Sequence, residues 1–217
     1  MTTKTGILIG VVGFIGSGKD TVADMLIQQG FIKDSFAKTL KDAASVLFGW
    51  DRQMIEGSTI DSREWREHVD SYWAAETGDA EFTPRKALQL LGTEAIRETF
   101  AQDFWVSTMV KRWIEAGKPN TVITDCRFPN EIRAIRRNGG LVINVKRGAQ
   151  PSWVPLVSRI NNKLHDEADM IKFQSMLHNK ELPHSSEYAW VGTKFDIVLD
   201  NNGTLADLNQ AVKSINI

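Results

Sequence analysis

A glycine-rich run that ends in a lysine is the part of the sequence best suited to chemistry. Residues 13–21 read GFIGSGKDT and lie between an apolar stretch and an amphipathic segment. Glycines allow the backbone to curl so that several N–H groups point inward, and the start of a helix adds partial positive charge. Lys19 can then reach the outer phosphates of a bound nucleotide. The pattern therefore predicts a phosphate-binding loop between a strand and a helix.

The residue after this lysine departs from the strict phosphate-loop pattern, in which a Ser or Thr hydroxyl contacts magnesium. Asp20 occupies that position, and Thr21 follows it. We expect Asp20 to hold the ion through water, or the Thr21 hydroxyl to contact a phosphate instead. Small-molecule kinases of the adenylate kinase type tolerate a replacement here, so the departure favours that group over motors and switch GTPases.

A second apolar stretch, starting at Thr121, ends in Asp125 and Arg127. Ligands of parallel sheets bind at the carboxyl ends of strands, which makes Asp125 a candidate magnesium or substrate group. Arg127 would then face the phosphates. In the structural alternative, Asp125 and Arg127 pair with each other or cap the helix that starts near Glu131.

A third group of candidates lies between these two sites. Arg85 and Gln89 are four residues apart and share a helix face, where a phosphate and a base edge could both be met. Most charges on amphipathic helices are solvated, and tryptophans usually pack in cores or interfaces. Trp105 is nevertheless our first candidate for stacking on a base, with Trp153 second.

A basic run follows the fourth predicted strand. No acidic residue occurs from Leu141 through Leu164, whereas Lys146, Arg147, Arg159 and Lys163 supply four positive charges. Such a run is either a solvated face or a mobile cover over an anionic substrate.

The positions of these candidates depend on the elements that carry them. Apolar runs predict five strands, at Gly6–Val12, Phe31–Ser35, Thr121–Thr124, Leu141–Lys146 and Phe195–Leu199. Helical spacing and end signals predict helices at Thr21–Gln28, Ala37–Phe48, Thr83–Phe100 with a bend at Gly92, Asp103–Glu115, Glu131–Arg137 and Leu205–Ile215. Alternating strands and helices indicate an α/β fold with a mostly parallel sheet covered on both faces. Two stretches, Asp51–Phe82 and Gly148–Val191, interrupt this alternation as insertions.

Composition excludes several classes of protein. The chain has 217 residues, with 26 Lys and Arg against 27 Asp and Glu, and Cys126 is its one cysteine. A single cysteine forms no intrachain disulfide, and the balanced charge disfavours a wide nucleic-acid surface. No apolar run is long enough to span a bilayer, and Met1–Gly6 shows no targeting signal. We therefore expect a cytoplasmic protein that binds no nucleic acid and no membrane.

Taken together, these motifs resemble the deoxynucleoside monophosphate kinases of large tailed bacteriophages over most of the chain. The matching segments are Gly16–Thr21, Arg85–Glu94, Phe104–Val106, Asp125–Arg127 with Asn130–Glu131, Val145–Arg147, His184–Glu187 and Asn201–Leu205. The Asp after the lysine belongs to the family pattern.

The resemblance implies a three-layer α/β/α P-loop kinase fold with strand order 2-3-1-4-5. It also implies an acceptor-binding insertion at about 51–105, a lid at about 148–191, a homodimer, and the host cytoplasm if the source is a phage. ATP would be the donor, a deoxynucleoside monophosphate the acceptor, and Mg²⁺ the metal. ATP would be bound by Gly16, Ser17, Gly18, Lys19, Asp20 and Thr21, with the last two also in the metal shell. The acceptor side would comprise Arg63, Arg85, Gln89, Gly92, Trp105, Asp125 and Arg127.

Phosphoryl transfer between two phosphates needs alignment and charge neutralisation more than covalent chemistry. We therefore expect Lys19, Arg127 and Arg147 to be the catalytic residues, and no general base. A kinase of another small acceptor, such as dephospho-coenzyme A, is an alternative. A regulatory nucleotide-binding NTPase is a second alternative, but the segment Thr193–Asp196, which spells its guanine-reading motif, precedes a strand instead of following it.

Overall fold

The computed structural model describes residues 5–215, so most of the N-terminal stretch interpreted as free of targeting signals lies outside the described residues. Five parallel strands form one sheet in the order β2-β3-β1-β4-β5. Their bounds are β1 Leu8–Val12, β2 Ile32–Asp34, β3 Thr121–Ile123, β4 Leu141–Lys146 and β5 Ile197–Asp200. The α/β fold and the strand order are as predicted, with ends that differ by up to two residues.

Eleven α-helices, one π-helical segment and one 3₁₀ turn are found in the described part of the chain. They are α1 Lys19–Ile27, α2 Lys38–Phe48, α3 Arg52–Glu56, α4 Ile60–Trp65, α5 Ser71–Thr77, α6 Pro84–Leu90, the π-helical segment Leu91–Arg97, α7 Phe104–Glu115, α8 Pro129–Arg137, α9 Val154–Asn161, α10 Glu167–His178, the 3₁₀ turn Ser185–Glu187 and α11 Leu205–Lys213.

The sheet is covered on both faces because its central strand is apolar on both. Every residue of β1 is buried. Ile9 and Val11 pack in one core with residues of α1 and α11. On the opposite face, Gly10 lies so close to α8 that an added Cβ would be 2.4 Å from the Ile135 side chain. These contacts give the three layers expected of the fold.

The chain divides into two compact units. The sheet, α1 and α8–α11 belong to the first unit, which comprises the chain through Asp34 and from Trp113 onward. The second unit, residues 35–112, contains α2–α6 and the π-helical segment. Its core is aromatic, with Trp50 stacked on Phe48 at 4.4 Å between ring centroids. The predicted insertion at 51–105 falls within this second unit.

The predicted helix Thr83–Phe100 changes character at its glycine. Here α6 ends at Leu90, and residues 91–97 continue as a π-helix. Gly92 is buried against α2, where a Cβ would lie 2.8 Å from Leu40 Cδ2, and the Trp105 indole N–H donates to Gly92 O at 2.7 Å. Close packing and a side-chain donor on the helix carbonyl therefore accompany the irregularity, a feature that is frequent at functional sites.

Within the described residues, no helix combines the length and the apolar character needed to cross a bilayer.

Candidate active site

The glycine-rich loop joins β1 to α1 and folds back around its own lysine. Gly16 and Gly18 have φ values of +78° and +99°, which glycine adopts without a steric penalty. Lys19 opens α1, and its Nζ donates to Gly13 O at 2.8 Å and to Phe14 O at 2.9 Å. The ammonium group is thus enclosed by the loop that is predicted to bind phosphates.

Close contacts explain why glycine occupies the loop. A Cβ on Gly13 would lie 2.5 Å from Val145 O and 2.6 Å from Ser17 Oγ. A Cβ on Gly18 would lie 2.4 Å from Asn201 Nδ2, which donates to Ser17 O at 2.8 Å. The Asn201 amide, which was not among the predicted site residues, therefore holds the glycine loop in place.

The charges around Lys19 have opposing effects on its ammonium group. Burial lowers the pKa of Lys19 most strongly, and the positive charge of Arg127 lowers it further. Asp20 and Glu187 raise the pKa, but they do not outweigh burial. Four charged side chains from different parts of the first unit therefore influence one another electrostatically at the end of the loop.

Asp20 lies in the first turn of α1 and is hydrogen-bonded by one residue of β2 and one residue that directly follows β3. Its Oδ1 accepts from Lys33 Nζ at 2.9 Å and from Thr124 Oγ1 at 3.3 Å. Burial raises the pKa of Asp20, but hydrogen bonding and charge from Lys33, with the Thr124 bond, lower it overall. Neither Lys33 nor Thr124 was predicted as a site residue, although Thr124 directly precedes the candidate Asp125.

The residues that were assigned to magnesium fit a metal held mainly through water. The Asp20 side chain is ionised and 67% exposed, and Thr21 follows it in the first turn of α1. Oxygen donors of this kind suit Mg²⁺, which keeps several waters and binds through one or two carboxylates plus substrate phosphates. Among the described residues no group of three or more His, Cys, Asp or Glu side chains could hold an ion by itself.

A buried carboxylate, that of Glu131, holds the backbone of the turn after β3 that carries Arg127. Glu131 is 2% exposed, and its Oε2 accepts from Arg127 N at 2.7 Å and from Phe128 N at 3.0 Å, which caps α8. Asp125 is half-buried near the start of the same turn. The next residue, Cys126, is buried, and burial together with the charges of Glu131 and Asp125 raises the pKa of its thiol well above the usual value. This thiol is therefore unreactive and structural.

The partner of the Arg127 side chain comes from the predicted lid. Arg127 Nη1 forms an ion pair with Glu187 Oε1 and donates to Ser186 Oγ at 3.2 Å. Within this turn His184 accepts from Ser186 N at 3.3 Å, and the Glu187 carboxylate binds Arg127.

The other predicted catalytic residue, Arg147, is exposed just after β4. It lines a small pocket beside the loop together with Ser17, Phe14 and Trp190. The Phe14 ring packs against Trp190 at 4.8 Å and edge-on against Trp153 at 5.6 Å between ring centroids. In this structure Trp153 therefore supports the loop through Phe14, and stacking of Trp153 on a base remains a prediction.

Two of the three arginines predicted on the acceptor side, Arg63 and Arg85, lie in the second unit, whereas Arg127 lies in the first. Arg63 Nε donates to Gly57 O at 3.1 Å, and Arg85 pairs with Glu67. Arg66 lies between them in the chain and was not predicted as a site residue. It is half-buried, and its Nε has no hydrogen-bond partner among the described residues. Burial lowers the pKa of Arg66 most, and the charges of Arg85 and Arg63 lower it further, whereas Glu67 and Glu56 raise it. The unpartnered Nε is a buried donor available to an anionic ligand.

The remaining acceptor candidates of the second unit differ in exposure. Gln89 is exposed near the end of α6, whereas Gly92 is buried. Trp105 is 4% exposed and is bonded to Gly92 O. In this structure its ring orders the π-helical segment, and base stacking by Trp105 remains a prediction.

The segment Thr193–Asp196 also has a structural explanation. It precedes β5, and the Asp196 carboxylate accepts from Val142 N at 2.8 Å and from Arg136. In a regulatory GTPase the guanine-reading motif follows a strand. The position of this segment before β5 therefore disfavours that class of protein.

A parallel 2-3-1-4-5 sheet with a lysine-terminated glycine loop after its central strand defines a P-loop nucleotide-binding protein. Residues 54–154 match the model of the deoxynucleotide monophosphate kinase family. A protein of Acanthamoeba polyphaga mimivirus named as a deoxynucleotide monophosphate kinase is 33% identical over 189 residues, covering 74% of this chain and 91% of the viral protein. The chain therefore belongs to the deoxynucleotide monophosphate kinase family, and it is a phosphotransferase.

The chain is also similar to a phage protein and to solved structures at lower identity. The deoxynucleoside-5'-monophosphate kinase of Escherichia phage T5 is 27% identical over 186 residues, covering 62% of this chain and 74% of the phage protein. Among solved structures, dephospho-CoA kinase from Campylobacter jejuni is 17% identical with a TM-score of 0.44, covering 95% of this chain and 93% of that chain. TT1252 from Thermus thermophilus has the same TM-score at 18% identity, covering 97% and 96%.

Proposed function

We propose that this enzyme transfers the γ-phosphate of ATP to a deoxynucleoside monophosphate, giving ADP and a deoxynucleoside diphosphate. The observation that carries the proposal is the Lys19 ammonium, enclosed by the loop carbonyls and within electrostatic range of Arg127. Membership in the family supports nucleotides as both substrates.

The reaction would depend on charge neutralisation. The acceptor phosphate oxygen is already anionic near neutral pH, so no side chain needs to remove a proton from it. On binding, Lys19 would exchange its two carbonyl partners for oxygens of the β- and γ-phosphates, which the loop amides also bind. Arg127 and Arg147 would stabilise the charge that spreads over the transferring group.

Asp20 and Thr21 would hold Mg²⁺, in part through water. When bound, the ion would neutralise phosphate charge and orient the β- and γ-phosphates. The lowered pKa of Asp20 keeps its carboxylate ionised for this purpose at neutral pH. Lys33 and Thr124 would hold that carboxylate in place beside the loop.

The acceptor phosphate would be bound by Arg63 and Arg85, to which the structure adds Arg66. The unpartnered Arg66 Nε supports this assignment, because a buried donor without an acceptor is costly unless a ligand supplies one. Gln89, Gly92 and Trp105 would form or order the site of the base, and Asp125 would contribute at the strand end. We also propose a homodimer, which the resemblance implies.

The test is incubation of the protein with ATP, Mg²⁺ and a panel of ribo- and deoxynucleoside monophosphates, followed by chromatography of the products. We expect ADP and a deoxynucleoside diphosphate to form in equal amounts, only when the acceptor is present. Dephospho-coenzyme A in the same panel tests the alternative acceptor. ADP formed at the same rate without any acceptor would reject the proposal.

Arg127→Ala is the companion variant. Turnover should fall far more than ATP affinity, because Arg127 is assigned to the transferring phosphoryl group. If ATP affinity alone fell, Arg127 would belong to the donor side.

A further inference from the structure

Arg159, Arg136 and Arg127 of the first unit differ in which guanidinium nitrogens bind protein groups. In Arg159, Nε and Nη2 donate to the two oxygens of Asp169, at 2.6 and 2.5 Å. In Arg136, the same two nitrogens both lie 3.2 Å from Asp196 Oδ2. The Nε–Nη2 edge is the fork with which arginine binds carboxylate or phosphate oxygens. In both residues a protein carboxylate occupies that fork.

Arg127 is held differently. Its bonds to Glu187 Oε1 and Ser186 Oγ both use Nη1. Within the described part of the chain, its Nε and Nη2 have no protein partner, and the side chain is 46% exposed. The fork of Arg127 is therefore open, while the opposite nitrogen is anchored.

The anchor is itself ordered. Ser186 and Glu187 belong to the 3₁₀ turn Ser185–Glu187, which His184 caps by accepting from Ser186 N at 3.3 Å. The His184 Nδ1 also lies 2.9 Å from Ser186 Oγ. Because this turn is short and internally hydrogen-bonded, it holds the Ser186 and Glu187 groups that bind Arg127 Nη1 in defined positions.

The open fork lies within electrostatic range of the phosphate loop. The charges of Arg127 and Glu187 both act on the Lys19 ammonium, with opposite signs. A phosphate bound by Lys19 would therefore lie within electrostatic range of the Arg127 guanidinium, whose Nε and Nη2 have no protein partner among the described residues.

We propose that Glu187 and Ser186 are positioning residues that grip Arg127 by Nη1 and so keep its Nε–Nη2 fork available to two oxygens of the transferring phosphoryl group. The inference rests on the proposed function, because it concerns the same reaction. It gives the lid insertion a role beyond covering the substrate, namely orienting a residue of the β3–α8 turn.

A competing possibility has a different consequence. If Glu187 merely substituted for phosphate in the nucleotide-free enzyme, it would compete with substrate for Arg127. Removal of the carboxylate would then lower the KM for ATP or raise kcat.

The test is a double-mutant cycle in dNMP-dependent turnover with Glu187→Ala, Arg127→Ala and the double variant. We expect Glu187→Ala to lower kcat about 10- to 100-fold, as small misplacements of catalytic groups do, with KM for ATP changed less than about twofold. In the Arg127→Ala background, Glu187→Ala should have no further effect. A purely structural role would cost the same factor in both backgrounds, and that result would overturn the inference.

Two further variants keep the test decisive if Glu187→Ala is unstable. Glu187→Gln retains an acceptor oxygen for Nη1, so it should retain more activity than Ser186→Ala combined with Glu187→Ala. Asp169→Asn, which removes charge from the occupied fork of Arg159 in the same insertion, is the matched control and should keep wild-type kcat. Thermal melting of every variant separates lost activity from lost folding.

The outcomes distinguish failure of the positioning role from failure of the proposed function. If Arg127→Ala has a reduced turnover while Glu187→Ala turns over as fast as wild type or faster, the positioning role is rejected and the proposed function stands. No acceptor-dependent transfer by the wild-type enzyme rejects the proposed function, and the inference with it.

Discussion

At the scale of the residue, Lys19 combines a functional position with a cost in stability. Its pKa is lowered chiefly by burial, so the folded state binds the lysine proton less tightly than the unfolded chain does. The sign follows from linkage: where the pH lies below both the folded-state and the unfolded-state pKa, the protonated side chain lowers the stability of the folded protein. Hydrogen bonds to Gly13 O and Phe14 O offset part of this cost.

Lys19→Met tests both consequences. We expect turnover to fall by at least about 100-fold, because a preorganised donor to the transferring phosphate is lost. The melting temperature should stay unchanged or rise, because the buried charge is gone. Lys172→Met, which alters an exposed lysine of α10, is the control and should leave both unchanged. Full turnover of Lys19→Met would contradict the assignment of this lysine.

At the scale of the residue, the sequence predicted a glycine loop ending in Lys19, because that pattern is contiguous and lies between a strand and a helix. The structure confirms the loop, and its binding of phosphate stays a prediction. Glu187 and Asn201 were not assigned their contacts, because they lie 60 and 184 residues from their partners Arg127 and Ser17. Only the fold brings such distant positions together.

At the scale of the element, two junctions at the strand ends hold the site in place. The β3–α8 turn depends on one buried carboxylate, Glu131, and the β1–α1 loop depends on glycines packed against Asn201. Glu131 accepts from two backbone N–H groups at the start of α8, and the Asn201 amide donates to a backbone carbonyl just before α1. Each makes a separate prediction about stability.

Glu131→Ala should destabilise the protein by about 2–3 kcal/mol, because two backbone N–H groups lose a charged acceptor. Turnover should fall as well, since one of those groups is Arg127 N. Asp166→Ala removes an exposed cap of α10 and should cost only about 1 kcal/mol. Chemical denaturation measures both. Equal losses in the two variants would show that the buried cap has no special importance.

Gly18→Ala should destabilise the protein by at least about 1 kcal/mol more than Gly30→Ala, because it adds an overpacking contact. The two glycines have similar φ values, +99° and +92°, so the backbone strain of an added Cβ is matched. Only Gly18 faces a neighbour, Asn201, whereas a Cβ on Gly30 has nothing within 4 Å. Equal melting temperatures for the two variants would refute the packing explanation.

At the scale of the whole molecule, each compact unit has its own core. The first has an aliphatic core around the sheet, and the second has the aromatic core around Trp50. The phosphate loop, Arg127 and Arg147 belong to the first unit, and Arg63, Arg66 and Arg85, which are assigned to the acceptor phosphate, belong to the second. A ligand that binds only the folded state raises its stability, so nucleotide binding should be visible in the stability of the protein as well as in its activity.

ATP with Mg²⁺ at about 100 times its dissociation constant should stabilise the protein by about 2.7 kcal/mol, because it binds only the folded state. At this chain length that corresponds to a rise of about 5–10 °C in melting temperature. Calorimetry of wild type and Lys19→Met measures the effect, and the variant should lose most of the shift. A wild-type melting temperature that is insensitive to ATP would contradict nucleotide binding by the loop.

The sequence by itself determined the fold class, the strands and the phosphate loop, because apolar periodicity and contiguous motifs are local properties of a chain. It also indicated Arg127, since carboxyl ends of parallel strands share one edge of a sheet. Only the tertiary structure decided that Glu187 grips Arg127, that Lys33 holds Asp20, and that Arg66 lies among Arg63 and Arg85. Ion pairs and desolvation depend on distances in space, and no spacing along the sequence encodes those distances.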